Sequence, residues 1–256
     1  MEIKWFGTAT LAFSQDGHSI LFDPFFPMNS MLPSPSTQEL SACGDIYITH
    51  GHFDHLMHVP RLLQAGNAKV YCCKTAAESL VRDGVDISRI NVISPGDRLK
   101  SGPFDLQVFR GEHIKFDLPL IVKTLFSRRT LANLKSLKML LREAKRFPEG
   151  QVLVFQIDAG GKQVMHMGSL NLAEAEKYPT GADLLTMPFQ GRSDLDTYSM
   201  QFIDRLKPKA ILLHHTCDSF PPVSSPVRTE TFLRFVSQKY PGLTVIKPEY
   251  QQTISI

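Results

Sequence analysis

A chain of 256 residues, 43% hydrophobic and 21% charged, has the size and balance of one large globular domain or two small ones. That balance excludes disorder and collagen. The four cysteines, Cys43, Cys72, Cys73 and Cys217, suit neither a disulfide framework nor a Cys-x-x-Cys zinc site. The net charge of +3 is too small to announce a nucleic-acid binder. With no signal-like start at Met1–Trp5 and no stretch near the roughly 18 apolar residues of a membrane span, a soluble, cytoplasmic protein is expected.

In chain order, Met1–Phe6, Thr10–Ser14 and Ser19–Asp23 read as strands, the last two joined by an Asp16-Gly17 hairpin turn. Asp45–Thr49 reads as a strand that ends at a histidine cluster, and Val59–Ala65 and Ala76–Asp83 read as helices. Ala68–Cys73, Ile90–Ser94 and Phe104–Arg110 read as strands, so strands alternate with helices and the class is α/β. Val152–Ile157, a turn at Ala159-Gly160-Gly161 and Gln163–Met167 repeat the opening hairpin. This predicts an internal duplication within one domain, 1–256, with halves about 1–116 and 151–256 and sheets face to face.

Residues 117–150 break the pattern with eight basic residues against three acidic ones, so the chain's whole basic excess sits in this insert. From a Ser127 N-cap to a stop at Pro148, the spacing predicts one helix. Leu134, Leu137, Leu141 and Ala144 should dock, and Lys135, Lys138, Arg142 and Lys145 should face solvent. Such a basic surface could serve as a lid or attract anions.

The chemistry is announced by His50-Gly51-His52-Phe53-Asp54-His55. On an extended segment His50 and His52 project to one side, while Asp54 and His55 follow on a turn into a helix, so two neighbouring cations could be addressed. Neutral imidazole and carboxylate are ligands that zinc, manganese and iron accept.

This array resembles the signature of the metallo-β-lactamase superfamily, and the resemblance extends over nearly the whole chain. Trp5-Phe6-Gly7-Thr8-Ala9 and Ile20-Leu21-Phe22-Asp23-Pro24 resemble the opening hairpin, with Asp23 as the acidic residue beside the site. Gly111-Glu112-His113-Ile114-Lys115-Phe116-Asp117 stands where the next metal-binding histidine belongs. Met165-His166-Met167-Gly168-Ser169-Leu170-Asn171 occupies the fourth motif and Leu213-His214-His215-Thr216-Cys217-Asp218 the last. The loops are most similar to the branch of small metal-dependent hydrolases that includes ascorbate-phosphate lactonase and some phosphodiesterases. The resemblance implies a four-layer αββα sandwich with a helical insert.

It further implies that His50, His52 and His113 hold one ion and Asp54, His55 and His215 a second, with His214 the alternative to His215 as last ligand. Otherwise His214 reads as a strand residue facing the core, and His166, just before the fourth motif, could support the ligands from behind. His18 and His58 match no motif and read as surface or loop residues. The fourth motif of the family carries an aspartate that bridges two metals, and here Ser169 stands in its place. A neutral hydroxyl cannot supply that charge, so one ion should bind more weakly or be absent. The same loss argues against the family's mononuclear iron dioxygenases, which use that aspartate.

The expected function is hydrolysis of a small anionic ester, lactone or phosphodiester. One or two divalent ions, zinc first and manganese or iron as alternatives, would acidify a water. Asp54 would orient that water and take its proton, and Lys115 and Arg192 would hold the substrate's charge. The alternatives are a nuclease-like phosphodiesterase tracking a phosphate backbone along the basic helix, and a non-catalytic metal-binding module. Nucleic acid is disfavoured because no aromatic residue interleaves with the basic residues of the Ser127–Pro148 helix until Phe147 at its end.

Overall fold

The computed structural model describes residues 1–256. The chain opens with β1 (Glu2–Trp5), β2 (Leu11–Gln15) and β3 (His18–Phe22), an antiparallel meander. After α1 (Thr37–Ser41) come β4 (Ile46–Tyr47), α2 (Phe53–Leu56), α3 (Val59–Ala65), β5 (Val70–Cys72), α4 (Lys74–Arg82) and β6 (Ile90–Val92), and the three strands join β3 in parallel. β7 (Arg98–Ser101) and β8 (Phe104–Arg110) start a second sheet. The insert follows as α5 (Leu118–Leu125), α6 (Arg128–Ala132) and α7 (Leu134–Arg146). β9 (Leu153–Ala159) and β10 (Lys162–Met167) continue antiparallel, and β11 (Leu184–Pro188), α8 (Leu195–Tyr198), α9 (Met200–Leu206), β12 (Ala210–His214), α10 (Glu230–Lys239) and β13 (Thr244–Ile246) add parallel strands. β14 (Thr253–Ser255) returns to pair with β1.

Each sheet has seven strands, in the orders β14-β1-β2-β3-β4-β5-β6 and β13-β12-β11-β10-β9-β8-β7. A three-stranded antiparallel run extended by three parallel strands therefore occurs in both, as β1 to β6 and as β8 to β13. Because β7 and β8 lie in the second sheet, the two units meet before residue 98 rather than near 116. The sheets pack face to face through buried aromatics: Phe22 meets Phe155 edge-on at 5.1 Å, and Tyr47 meets Phe155 at 6.1 Å. Helices flank the pair; α4 buries Ala76, Ala77 and Leu80, and α9 and α10 bury Phe202, Ile203, Phe232 and Val236. No helix is long and apolar enough to cross a membrane.

The strand before the histidines is shorter than its composition suggests, because Thr49 leaves the ladder. Its N–H donates to Asp23 Oδ1 (2.8 Å) and its carbonyl accepts from Leu153 N–H (2.8 Å) in the second sheet.

The insert departs most from expectation. Ser127 does cap a helix, its hydroxyl accepting from Thr130 N–H, but that helix ends at Asn133, whose φ of −125° and ψ of 39° break the run before α7. Residues 118–125, not expected to be helical, form α5 behind Pro119 at a permitted first-turn position. The docked face of α7 is also different. Leu140 is buried against Phe25 and Phe220 beside Phe53 and Met57, and Phe147 is buried at the helix end. Leu134 and Leu141 are 58% and 57% exposed, and Ala144 is exposed too. Leu140→Ala should therefore cost about 2–4 kcal/mol, the range for a buried leucine. Leu141→Ala should stay within about 0.5 kcal/mol of wild type. Equal losses in denaturant melts would refute this docking.

Candidate metal centre

The site sits where β3, β4, β8, β10 and β12 end. It is organised around Asp23, fully buried and in the left-handed region at φ 45°, which aspartate tolerates better than most residues. One carboxylate oxygen takes the Thr49 N–H. The other takes the Thr49 hydroxyl (2.7 Å) and lies 3.0 Å from His55 Nδ1.

From this anchor the protonation of each imidazole follows. His55 Nδ1 faces a carboxylate, so it carries the proton and leaves Nε2 with a free lone pair. Thr49 spends its hydroxyl proton on Asp23, so at 3.1 Å its oxygen accepts from His50 Nδ1; His50 Nε2 is buried with no partner in the protein. His113 Nδ1 lies 2.9 Å from the Ile114 carbonyl and must donate there. Gln190 Nε2 donates to Ser225 O (3.0 Å), which turns Gln190 Oε1 to His215 Nδ1 (2.8 Å) and makes that nitrogen the donor. In all four rings Nδ1–H is committed within the protein, so Nε2 is the nitrogen turned to the site.

The bare atoms fall into two groups. His50, His52 and His113 form one, and Asp54, His55 and His215 the other, with the ligand atoms of each within 4.8 Å of one another. Between His50 and His55 the ring centroids are 4.0 Å apart, so the groups adjoin. His215 Nε2 stands 3.1 Å from Asp54 Oδ2, and His55 Nε2 stands 3.6 Å from the same oxygen. Acceptors approach one another this closely only around a proton or a cation. Nitrogen and carboxylate donors, converging lone pairs and an orphaned buried Nε2 together fit a divalent transition metal.

Electrostatics separate the two groups. Burial lowers His50 well below the ordinary imidazole value and lowers His52 as well; burial and the neighbouring His52 push His113 down to about 4. Burial also works against a charged His55, but Asp23 and Asp54 overcome it and raise that group. For Asp54, burial favours the neutral acid, yet His55 and His215 hold the carboxyl well below its usual range. Protons therefore compete with a cation at the His55 group at higher pH than at the His50 group.

The remaining expected residues are placed as follows. His214 is buried, its Nε2 donating to Met167 O (3.0 Å), and it stays apart from the cluster that holds His215. His166 is buried beneath the site, with Nδ1 2.7 Å from Thr186 Oγ1 and its ring edge-on to Phe22; burial pushes it down to about 4. Ser169 is buried, and its Oγ accepts from Ile114 N–H (3.0 Å), so it fastens the loop that carries His113. Gly168 is needed beside it, since a Cβ there would lie 1.9 Å from Thr49 Oγ1.

His18 is exposed, as expected. His58 lies in the turn between α2 and α3, half-buried against Phe25 and Phe26; it takes the Phe26 N–H on Nδ1 (3.2 Å), and burial pushes it down to about 4. Arg192 is not free to hold substrate. Its guanidinium is tied to Asp194 (2.6 Å), stacked over Tyr198 and bonded to the Lys115 carbonyl (2.9 Å). Lys115 itself is exposed, on the rim of a cavity of about 680 Å³ that His113, Glu112 and Glu149 also line.

Three contributors have no role at the site assigned from the sequence. Gln190 fixes the His215 tautomer, Thr8 takes the His215 N–H on its carbonyl (2.7 Å), and Glu149 brings its carboxylate 3.9 Å from His113 Nδ1.

This is the layered fold and donor set of a metallo-β-lactamase-type protein. Residues 2–215 match the β-lactamase superfamily domain, and the chain belongs to that family. It is 24% identical over 252 residues to a UPF0173 metal-dependent hydrolase of Methanobrevibacter smithii, covering 96% of this chain and 93% of the relative. Among solved structures it is similar to a metallo-hydrolase from Ignicoccus hospitalis (TM-score 0.64, 17% identity, 99% of this chain and 97% of that one). A metallo-β-lactamase fold protein from Bacillus subtilis is comparable (TM-score 0.65, 12% identity, 99% and 98%). At these identities the structural likeness speaks for the fold alone.

Three outcomes are expected. On acidification the ion at Asp54, His55 and His215 should leave before the ion at His50, His52 and His113, visible as two steps in metal content across a pH series; simultaneous release would contradict the electrostatics. Asp23→Asn should lower affinity at the His55 group about 10- to 100-fold, as loss of a histidine's supporting carboxylate does. Ser169→Asp should act in the opposite direction, because a carboxylate can keep the Ile114 bond while adding charge. Calorimetric titration measures both substitutions.

Proposed function

We propose that the protein is a metal-dependent hydrolase that uses zinc, or manganese or iron in its stead, to cleave a small anionic ester, lactone or phosphodiester. The observation that carries the reading is the set of four imidazoles with Nδ1–H committed and Nε2 turned to the site, beside an ionised Asp54. With divalent ions bound, such a site gains an acidified water and a polarised substrate oxygen. His50, His52, His113, Asp54, His55 and His215 are the proposed ligands.

Asp54, ionised at neutral pH, is suited to orient a water through its carboxylate and to receive its proton in passing; its low pKa favours handing that proton on rather than keeping it. Lys115 offers an exposed ammonium on the cavity rim, and Arg192 supports it by bonding its carbonyl. Phe147, the aromatic at the end of the basic helix, is buried and offers a base no stacking surface there, which favours a small substrate over a nucleic acid.

Metal analysis of the purified protein should find one or two divalent ions per chain. His52→Ala should lose most of that metal and all activity while keeping its far-UV spectrum. A panel of chromogenic phosphodiesters, lactones and β-lactams tests the substrate class. On the substrate that is turned over, Lys115→Ala should raise KM about tenfold with little change in kcat, the loss of a charge-assisted contact. Metal-loaded protein inert to the whole panel would overturn the hydrolase reading in favour of a metal-binding module.

A further inference from the structure

The insert carries its apolar residues on the outside. On α5 the residues Leu118, Ile121, Val122 and Leu125 recur at the spacing of a single helical face, and they are 71%, 40%, 47% and 49% exposed. No residue of that helix is buried. The outward stripe of α7 runs Leu134, Lys138, Leu141, Lys145, one helical face on which leucine alternates with lysine, all exposed.

The charges are sorted in the same way. Arg129 is paired with Asp218, Arg142 with Glu143 and Arg146 with Asp83, whereas Lys123, Arg128, Lys135, Lys138 and Lys145 have no ion pair. The three acids of the insert are taken up elsewhere: Asp117 by Ser193, Glu143 in the helix interface, and Glu149 beside His113. The outer face therefore offers apolar side chains and unpaired cations with no carboxylate among them.

From this we infer that the insert is a docking face for an anionic lipid surface, with α5 entering the headgroup boundary and the free lysines meeting lipid phosphates. A second copy of the chain laid face to face would bring the same cations against one another, whereas an anionic bilayer supplies both the apolar layer and the opposite charge. Lysine stems can lie along such a boundary while their ammonium groups stay at the phosphates. The face is continuous with the metal centre, since Phe116, 56% exposed just before α5, lies 5.9 Å ring to ring from His113. A docked molecule would thus hold its cavity rim beside the lipid headgroups.

The test is co-sedimentation of the metal-loaded, full-length protein with vesicles of phosphatidylcholine alone or mixed with phosphatidylglycerol. Binding is expected to the mixed vesicles only and should weaken as salt rises. Ile121→Glu with Leu125→Glu should abolish it. Lys135→Gln with Lys138→Gln should lower the partition coefficient about thirtyfold, at roughly fivefold per cation near such a surface. Unchanged metal content and melting temperature establish that these exposed substitutions leave the fold intact. No binding of wild type to mixed vesicles overturns the inference, as does equal binding to neutral vesicles. A dimer in sedimentation equilibrium that Ile121→Glu dissolves, without vesicle binding, would assign the face to a second copy instead. Tighter capture by a soluble polyanion than by vesicles, unaffected by the α5 change, would also overturn it.

Discussion

The Asp23 carboxylate is the interaction on which the rest depends. Fully enclosed, it is costly to bury as an anion unless its lone pairs are used, and they are used by the Thr49 backbone, the Thr49 hydroxyl and His55. Each of these has a further effect. The hydroxyl, oriented by Asp23, sets the His50 tautomer; the backbone bond pulls Thr49 out of β4 so that its carbonyl can take Leu153 N–H across the sandwich. One buried charge thus couples the hairpin of the first sheet, the histidine motif and the start of β9. The left-handed backbone at Asp23, Thr8 and His215 shows that local preference yields to the centre, since a β-branched residue such as Thr8 seldom adopts that conformation.

The loop after β10 has a structural duty that a hydroxyl and an amide can fill. Ser169 holds the Ile114 amide, and Asn171 reaches Glu112 Oε2 at 3.2 Å, so the loop after β10 clamps the loop after β8. Ser169 itself adds no charge to the two candidate ligand groups. Of the two, the His55 group relies more on Asp23 and Asp54, the only carboxylates touching it.

Much of the centre was legible because its chemistry is local in sequence. His50 to His55 is a contiguous array at a strand end, and His113 and His215 stand in motifs whose order the family resemblance supplies. Gln190 and Thr8 were illegible for the opposite reason: each acts through a contact closed by the fold, and neither residue type draws notice alone. His58 looked ordinary because its burial comes from Phe25 and Phe26, more than thirty positions away. The helix of the insert misled in a different way. Leu134, Leu137, Leu140 and Leu141 span an arc of about 120°, so periodicity by itself does not say which edge of that arc is packed. Packing against Phe25 and Phe220 chose Leu140, and Asn133 broke what the capping pattern would have made continuous.

The insert also leaves the body where it enters. Gly111 N–H donates to the Val152 carbonyl at 2.8 Å, and Gly51 N–H donates to the Glu149 carbonyl at 2.7 Å, in a spot where any Cβ on Gly51 would strike Pro148 O at 2.3 Å. Between these closed ends, beyond His113 and before the docked Leu140, α5 and α6 form an outlying stretch. Doubling the length of a loop costs only about 0.6 kcal/mol in closure entropy, so that stretch could be lengthened or exchanged while the β8–β9 ladder, His113 and the Leu140 contact stay fixed. In this scaffold what approaches the metals can evolve separately from the metals themselves.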